Sequence, residues 1–152
     1  MPLKAGTIIK STKALDDTYF ESATIIIVEY NNNGVVGFVI DKPVHRKLND
    51  LEEFKYVADF PLYEGGPVDP EHLFFIHTRP DLIAGGTEIG KSIYFGGDFK
   101  QAISCIRNNS VTTGDIKIFI GYCGWYAAEL EAEVKEGSWV LSAAAVNVFT
   151  FQ

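Results

Sequence analysis

The stretch Ser22–Tyr30, SATIIIVEY, constrains the fold more than any other part of the chain. Its β-branched residues are nearly continuous, as in a strand covered on both faces. Asn31-Asn32-Asn33-Gly34 follows at once, and Asn and Gly tolerate the positive φ of a tight turn. Val35–Ile40 then returns as a second strand, stopped by Asp41-Lys42-Pro43. Two such runs around a turn signal predict an antiparallel hairpin.

Around the hairpin the chain reads as β-rich with two or three helices. Thr7-Ile8-Ile9 is a short apolar run near the start. Asn49–Phe54 predicts a short helix, with Asn49 as its cap and Glu52 three residues on, as a capping box requires. Tyr63–Pro70, YEGGPVDP, is punctuated by glycine and proline and reads as loop at least in part. His72–His77 and Thr87–Phe95 read as strands, with Asp81–Gly86 a loop or short turn between them. Asp98–Asn108 predicts a helix capped by Asp98, whose Phe99, Ala102, Ile103 and Ile106 share one apolar face. Asp115–Tyr122, DIKIFIGY, predicts a strand, and Trp125–Glu136 a helix that Gly137 ends. Trp139–Ala144 and Val146–Phe151 read as extended. Helices and strands do not alternate regularly. The expected class is therefore α+β, a mixed or antiparallel sheet with helices packed on it, rather than a doubly wound parallel sheet.

The 152 residues suit one domain, and 47% hydrophobic and 13% aromatic residues are enough to fill its core. The formal net charge of −7 opposes the phosphates of nucleic acid. Lys42, His45, Arg46 and Lys47 are the nearest approach to a basic cluster, so direct DNA binding is not expected. Two cysteines, Cys105 and Cys123, are too few for a disulfide framework and suit a reducing cytoplasm. Residues 1–15 lack the apolar run of a signal peptide, and the longest apolar stretches are strand-length, which predicts no membrane span.

Several segments, in this order along nearly the whole chain, resemble the YqgE/AlgH family of bacterial proteins. They are Gly37-Phe38-Val39-Ile40-Asp41-Lys42-Pro43, then Tyr63-Glu64-Gly65-Gly66-Pro67-Val68, then His77 at a strand end, then Gly121-Tyr122-Cys123-Gly124-Trp125 with Glu129-Leu130-Glu131 after it. The resemblance implies a branched β-sheet curled into a pseudo-barrel and flanked by helices. It implies little chemistry: the family carries a label of transcriptional regulator that assigns no binding residue. The chain departs from the family pattern at Asp41, where Asn is usual, at Cys123, where a small residue such as Ala stands, and at Glu129, where Gln stands.

Gly121–Trp125 has two readings. A strand running into a glycine-flanked turn at a helix N-terminus can present N–H groups to an anion. The plainer reading lets both glycines turn the backbone while Trp125 packs, and no P-loop lysine follows. Cys123 near a helix N-terminus could be reactive, yet cysteine is also a small buried hydrophobe. His77-Thr78-Arg79 is a strand end that could meet an anion or simply face solvent. His72 and His77 differ by an odd number and so point to opposite faces of a regular strand, which makes a poor metal site. Glu129 and Glu133 read as a solvated helix face rather than an acid–base pair. The pattern calls for no catalytic residue, cofactor or metal. The candidate ligand-binding set is Lys42, Gly65, Gly66, His77, Arg79, Gly121, Gly124 and Trp125, in a groove between the Gly65-Gly66-Pro67 loop, Lys42-Pro43 and Gly121–Trp125. The function expected is that of a regulatory or interaction protein with a protein or small-molecule partner. A small-ligand binder or enzyme using the glycine turns is the alternative.

Overall fold

A computed structural model describes residues 3–142 and 147–149. Among these residues ten strands run in chain order as β1 (Ile8–Ser11), β2 (Thr24–Asn31), β3 (Gly34–Val39), β4 (Pro43–Lys47), β5 (Pro61–Glu64), β6 (Val68–His77), β7 (Thr87–Gly90), β8 (Ile93–Phe95), β9 (Ile116–Trp125) and β10 (Trp139–Leu141). Two α-helices, α1 (Phe99–Arg107) and α2 (Ala127–Lys135), pack on them. The class is α+β, and every strand pair is antiparallel except β5 with β9.

The hairpin forms as the sequence predicts. Ile25 faces Val39 and Asn31 faces Gly34 across the β2–β3 turn. The Asn31 side chain accepts a 2.8 Å bond from the Asn33 N–H, which fixes the turn locally. The helix over 98–108 is also as expected. Asp98 accepts from the Gln101 N–H at 3.1 Å, and Ala102, Cys105 and Ile106 are buried against the sheet.

Other elements differ for local reasons. Asn49–Phe54 is not a helix but two 3-10 turns, Leu48–Asp50 and Glu52–Phe54. Asp50, not Asn49, caps the first by accepting from the Lys47 N–H at 2.8 Å, while Asn49 is drawn to Asp59. Thr87–Phe95 is a hairpin, β7–β8, because Lys91 and Ser92 both take positive φ, 53° and 63°, and reverse the chain. The loop after β5 is only Gly65-Gly66-Pro67, since β6 already begins at Val68. Pro43, the last residue of the expected stop to the hairpin, instead begins β4, which pairs with β5. Ala143, Ala144 and most of Val146–Phe151, expected as extended, lie outside the described residues; Val148 and Phe149 form a turn.

The sheet is branched rather than simple. Its main path is β10-β1-β2-β3-β9-β6-β8-β7, and β5 joins β9 off that path. It is not a closed barrel, although its two ends approach where Gly6 abuts Ile89; a Cβ on Gly6 would stand 2.1 Å from the Ile89 carbonyl oxygen. Three apolar clusters result. One lies between α1 and β9, where Ile116, Ile118 and Ile120 point. A second lies under α2, around Trp125, Leu130 and Trp139. The third fills the inner face of the curl, with Ile26, Phe38, Ile40, Ile76, Ile89 and Phe119.

Candidate functional site

The branch point is Gly121. Before it, β9 pairs in parallel with β5 through Ile118, Phe119 and Ile120; after it, β9 pairs with β3 through Cys123, Gly124 and Trp125. Gly121 takes a positive φ of 70° within the strand. Here the structure corrects the sequence reading. Residues 121–124 are not a turn at a helix N-terminus; β9 continues to Trp125 and α2 starts only at Ala127.

The expected glycines do meet, backbone on backbone. The Gly65 N–H donates to the Ile120 carbonyl at 2.8 Å, and the Gly65 carbonyl accepts from the Val39 N–H at 2.9 Å. A Cβ on Gly66 would lie 2.1 Å from the carbonyl carbon of Tyr122, and one on Gly121 would lie 2.4 Å from the Gly66 carbonyl oxygen. These glycines let the Gly65–Pro67 loop cross the fork in contact with it. Lys42 stands beside them: its carbonyl accepts from the Glu64 N–H at 2.8 Å, and its Nζ donates to the Glu21 carbonyl at 3.3 Å. Cys123 is buried against the Gly65 carbonyl, 3.3 Å away, and burial pushes its thiol up to about 12, away from the thiolate. Burial, with Glu64 and the thiol beside it, also raises the pKa of Tyr19.

Trp125 is 7% exposed, 6.0 Å from Phe20 and 6.0 Å from Trp139 by ring centroids. Gly124, next to it, is exposed. His77 and Arg79 lie apart from these residues, toward the other end of the β6–β9 ladder, where His77 faces Ile116. His77 is not a solvent-facing strand end. It is fully buried, between Phe75 and Tyr94, each 5.7 Å away by ring centroids. Its Nδ1 accepts from the Arg79 N–H at 3.1 Å, so Nε2 carries the proton and donates to the Gly96 carbonyl at 3.0 Å. Burial lowers its pKa, which favours that neutral tautomer. The Arg79 guanidinium grips Asp81 through two bonds of 2.9 and 2.8 Å. The carboxylates of α2 have structural partners too: Glu129 accepts from the Tyr126 N–H at 3.2 Å, and Glu133 from the Trp139 indole at 3.0 Å.

Among the described residues, two surface concavities stand out. The smaller, about 180 Å³, is bordered by Tyr122, Gly124, Trp125 and the β2–β3 turn. The larger, about 440 Å³, lies between β4, the 3-10 turns, the start of β6 and α1. Leu51, Phe54, Leu73 and Phe99 give it an apolar floor. Arg46, Glu53, Glu71 and His72 add charge to its lining, and Asp69, hydrogen-bonded to His72 Nδ1, raises the pKa of that imidazole. This cleft shares no residue with the set read from the sequence. Its lining converges from five elements, since Ile120 of β9 joins the four just named, and no motif marks it.

Sequence reasoning also misses Lys117. It is 2% exposed in the middle of β9. The signal was present: a lysine at the third position of DIKIFIGY alternates with inward-facing isoleucines. Among the described residues no three His, Cys, Asp or Glu side chains gather as metal ligands. No helix among them is long and apolar enough to cross a membrane.

Comparison with solved structures gives the same architecture. The UPF0301 protein of Bacteroides fragilis is 36% identical over 138 residues, covering 90% of this chain and 70% of that protein. The UPF0301 protein of Chlorobaculum tepidum is 34% identical over 149 residues, covering 97% and 80%. The solution structure of the AlgH protein from Pseudomonas aeruginosa superposes with a TM-score of 0.77 at 24% identity, over 99% of this chain and 84% of that one. A crystal structure of a protein from Corynebacterium diphtheriae gives 0.78 at 14% identity, over 98% and 85%. The AlgH-like family model matches residues 7–151, and the chain belongs to that family.

Proposed function

We propose that this chain is a regulatory or interaction protein that acts by binding, and that the cleft between β4, the 3-10 turns, β6 and α1 receives its partner. The cleft's composition carries the reading. An apolar floor of Leu51, Phe54, Leu73 and Phe99 supplies contact area, and Arg46, Glu53, Glu71 and His72 supply orientation. The groups best suited to covalent chemistry are engaged elsewhere: Cys123 is buried, both His77 nitrogens are hydrogen-bonded and Lys117 is enclosed. The glycines of the fork, the alternative anion site, hold backbone against backbone. On this reading the chain is one domain whose curled, open sheet is a pseudo-barrel, working in the cytoplasm, where its two buried thiols stay reduced.

A thermal-shift panel of metabolites, nucleotides and short peptides tests it, because a ligand of the folded state raises the melting temperature. A hit should be lost in Phe54→Ala and Arg46→Ala. Hits that persist in both variants place the site elsewhere. A DNA titration should show no sub-micromolar, salt-sensitive binding, given the net charge of −7; such binding would favour a DNA-contacting regulator instead.

A further inference from the structure

The inner face of the curl holds a buried cation. Along β9, Ile116, Ile118 and Ile120 point toward α1, while Lys117 and Phe119 point the other way. The Lys117 Nζ donates to the Ile40 carbonyl at 2.7 Å and to the Val148 carbonyl at 2.8 Å, and it lies 3.9 Å from the centre of the Tyr63 ring. All three partners are neutral. The nearby carboxylate whose charge it feels, Asp41, turns an oxygen to the Thr24 N–H at 3.2 Å. An ammonium removed from water is best matched by an opposite charge; carbonyl dipoles and a ring face are weaker partners. Packing alone gives no reason for a lysine here, since the neighbours Phe38, Ile40 and Phe119 are apolar.

One of those carbonyls arrives from far along the chain. Val148 is 31 residues from Lys117, and its turn places the Val148 and Phe149 side chains among Ile26, Phe38, Ile40, Ile89 and Phe119. The turn thus offers an oxygen to the ammonium and hydrocarbon to the surrounding interior. A carboxylate on an apolar tail would offer the same pair, with a full charge in place of a dipole. We propose that the inner face of the curled sheet is a receptor site for an apolar carboxylate, with Lys117 as its counter-ion, and that the Val148–Phe149 turn fills this site as an intramolecular plug. The half-buried Tyr63 ring closes it over the ammonium. This site lies on different residues from the cleft and does not depend on the reading given to that cleft.

Titration calorimetry on the full chain tests the proposal, with octanoate as the probe and 1-octanol as its uncharged counterpart. Wild-type protein should bind octanoate at least about tenfold more tightly than octanol, the factor expected for a hydrogen bond to a charged group. Phe149→Ala, which loosens the plug, should tighten octanoate further. Lys117→Met should bind the two probes alike, whereas Arg46→Ala in the cleft should change neither. Octanoate that keeps its preference over octanol in Lys117→Met, or octanoate binding that is absent from both wild type and Phe149→Ala, overturns the proposal. Should Lys117→Met fail to fold, the comparison of octanoate with octanol on wild type and Phe149→Ala decides: equal affinities overturn it.

Discussion

Replacing Lys117 by Met should change how stability depends on pH. Burial pushes the ammonium down from its ordinary 10.5 to about 8, against the opposing pull of Asp41. At about 1.4 kcal/mol per pKa unit, holding this charge in the folded interior costs about 3 kcal/mol. The sign follows from proton counting. Between about 8 and 10.5 the unfolded chain keeps the proton that the folded chain has released, so this group makes stability rise with pH through that window. Below about 8 both states are charged and the cost is constant. Met keeps the stem and removes the charge, but it leaves the Ile40 and Val148 carbonyls without their donor, at about 1–3 kcal/mol for each buried group. The two chains should therefore be of comparable stability near pH 7, with wild type gaining up to about 3 kcal/mol on the variant by pH 10. Urea unfolding of both proteins at four pH values from 7 to 10 measures this, and the difference cancels the contributions of groups common to both chains. A difference that stays flat across the series, or that falls as pH rises, refutes the claim that burial dominates the environment of this lysine.

Trp125→Ala should cost about 3–5 kcal/mol, as truncation of large buried aromatics does, because the indole packs against Phe20 and Trp139; a loss well under 1 kcal/mol in chemical denaturation would mean that it lines a groove instead. Gly66→Ala should destabilise by more than about 2 kcal/mol or prevent folding, since the new methyl would meet the Tyr122 backbone at 2.1 Å. Gly124→Ala, exposed and with its nearest contact at 3.5 Å, should fall within about 0.5 kcal/mol of wild type. Equal melting temperatures for the two glycine variants would show that the loop does not cross the fork in this way.

How much was legible divides by the range of the interaction involved. The β2–β3 hairpin and α1 rest on contacts within a few residues: the Asn31 side chain on Asn33, and Asp98 on the N–H of Gln101. Their residue types alone name those partners, and the apolar face of α1 follows from helical spacing. The family motifs were legible too, but not their use. The sequence marks Gly65, Gly66 and Gly121 as positions of unusual backbone without saying whether that freedom binds an anion or admits another backbone. That answer came from residues 55 positions apart meeting at a fork, and local pattern holds no record of such a meeting. The same holds for Gly121–Trp125, where a glycine-flanked turn and a continuing strand look alike until β3 is seen to pair with the far side. His77 read as a strand end because its neighbours are polar; Tyr94 and the Gly96 carbonyl, from the β7–β8 hairpin, enclose it.

Alternation along DIKIFIGY determined that Lys117 and Ile118 point to opposite faces of a strand. It could not determine that both faces are buried, one by α1 and the other by the curl of the sheet and the turn at Val148. Local periodicity fixes the direction of a side chain relative to its neighbours, whereas its environment is set by whichever distant segments the chain brings against that face. For this protein the sequence by itself determined the hairpin, the first helix and the family. Only the tertiary structure decided that the glycines join backbones, that five separate elements line a cleft, and that a lysine lies enclosed at the centre of the sheet.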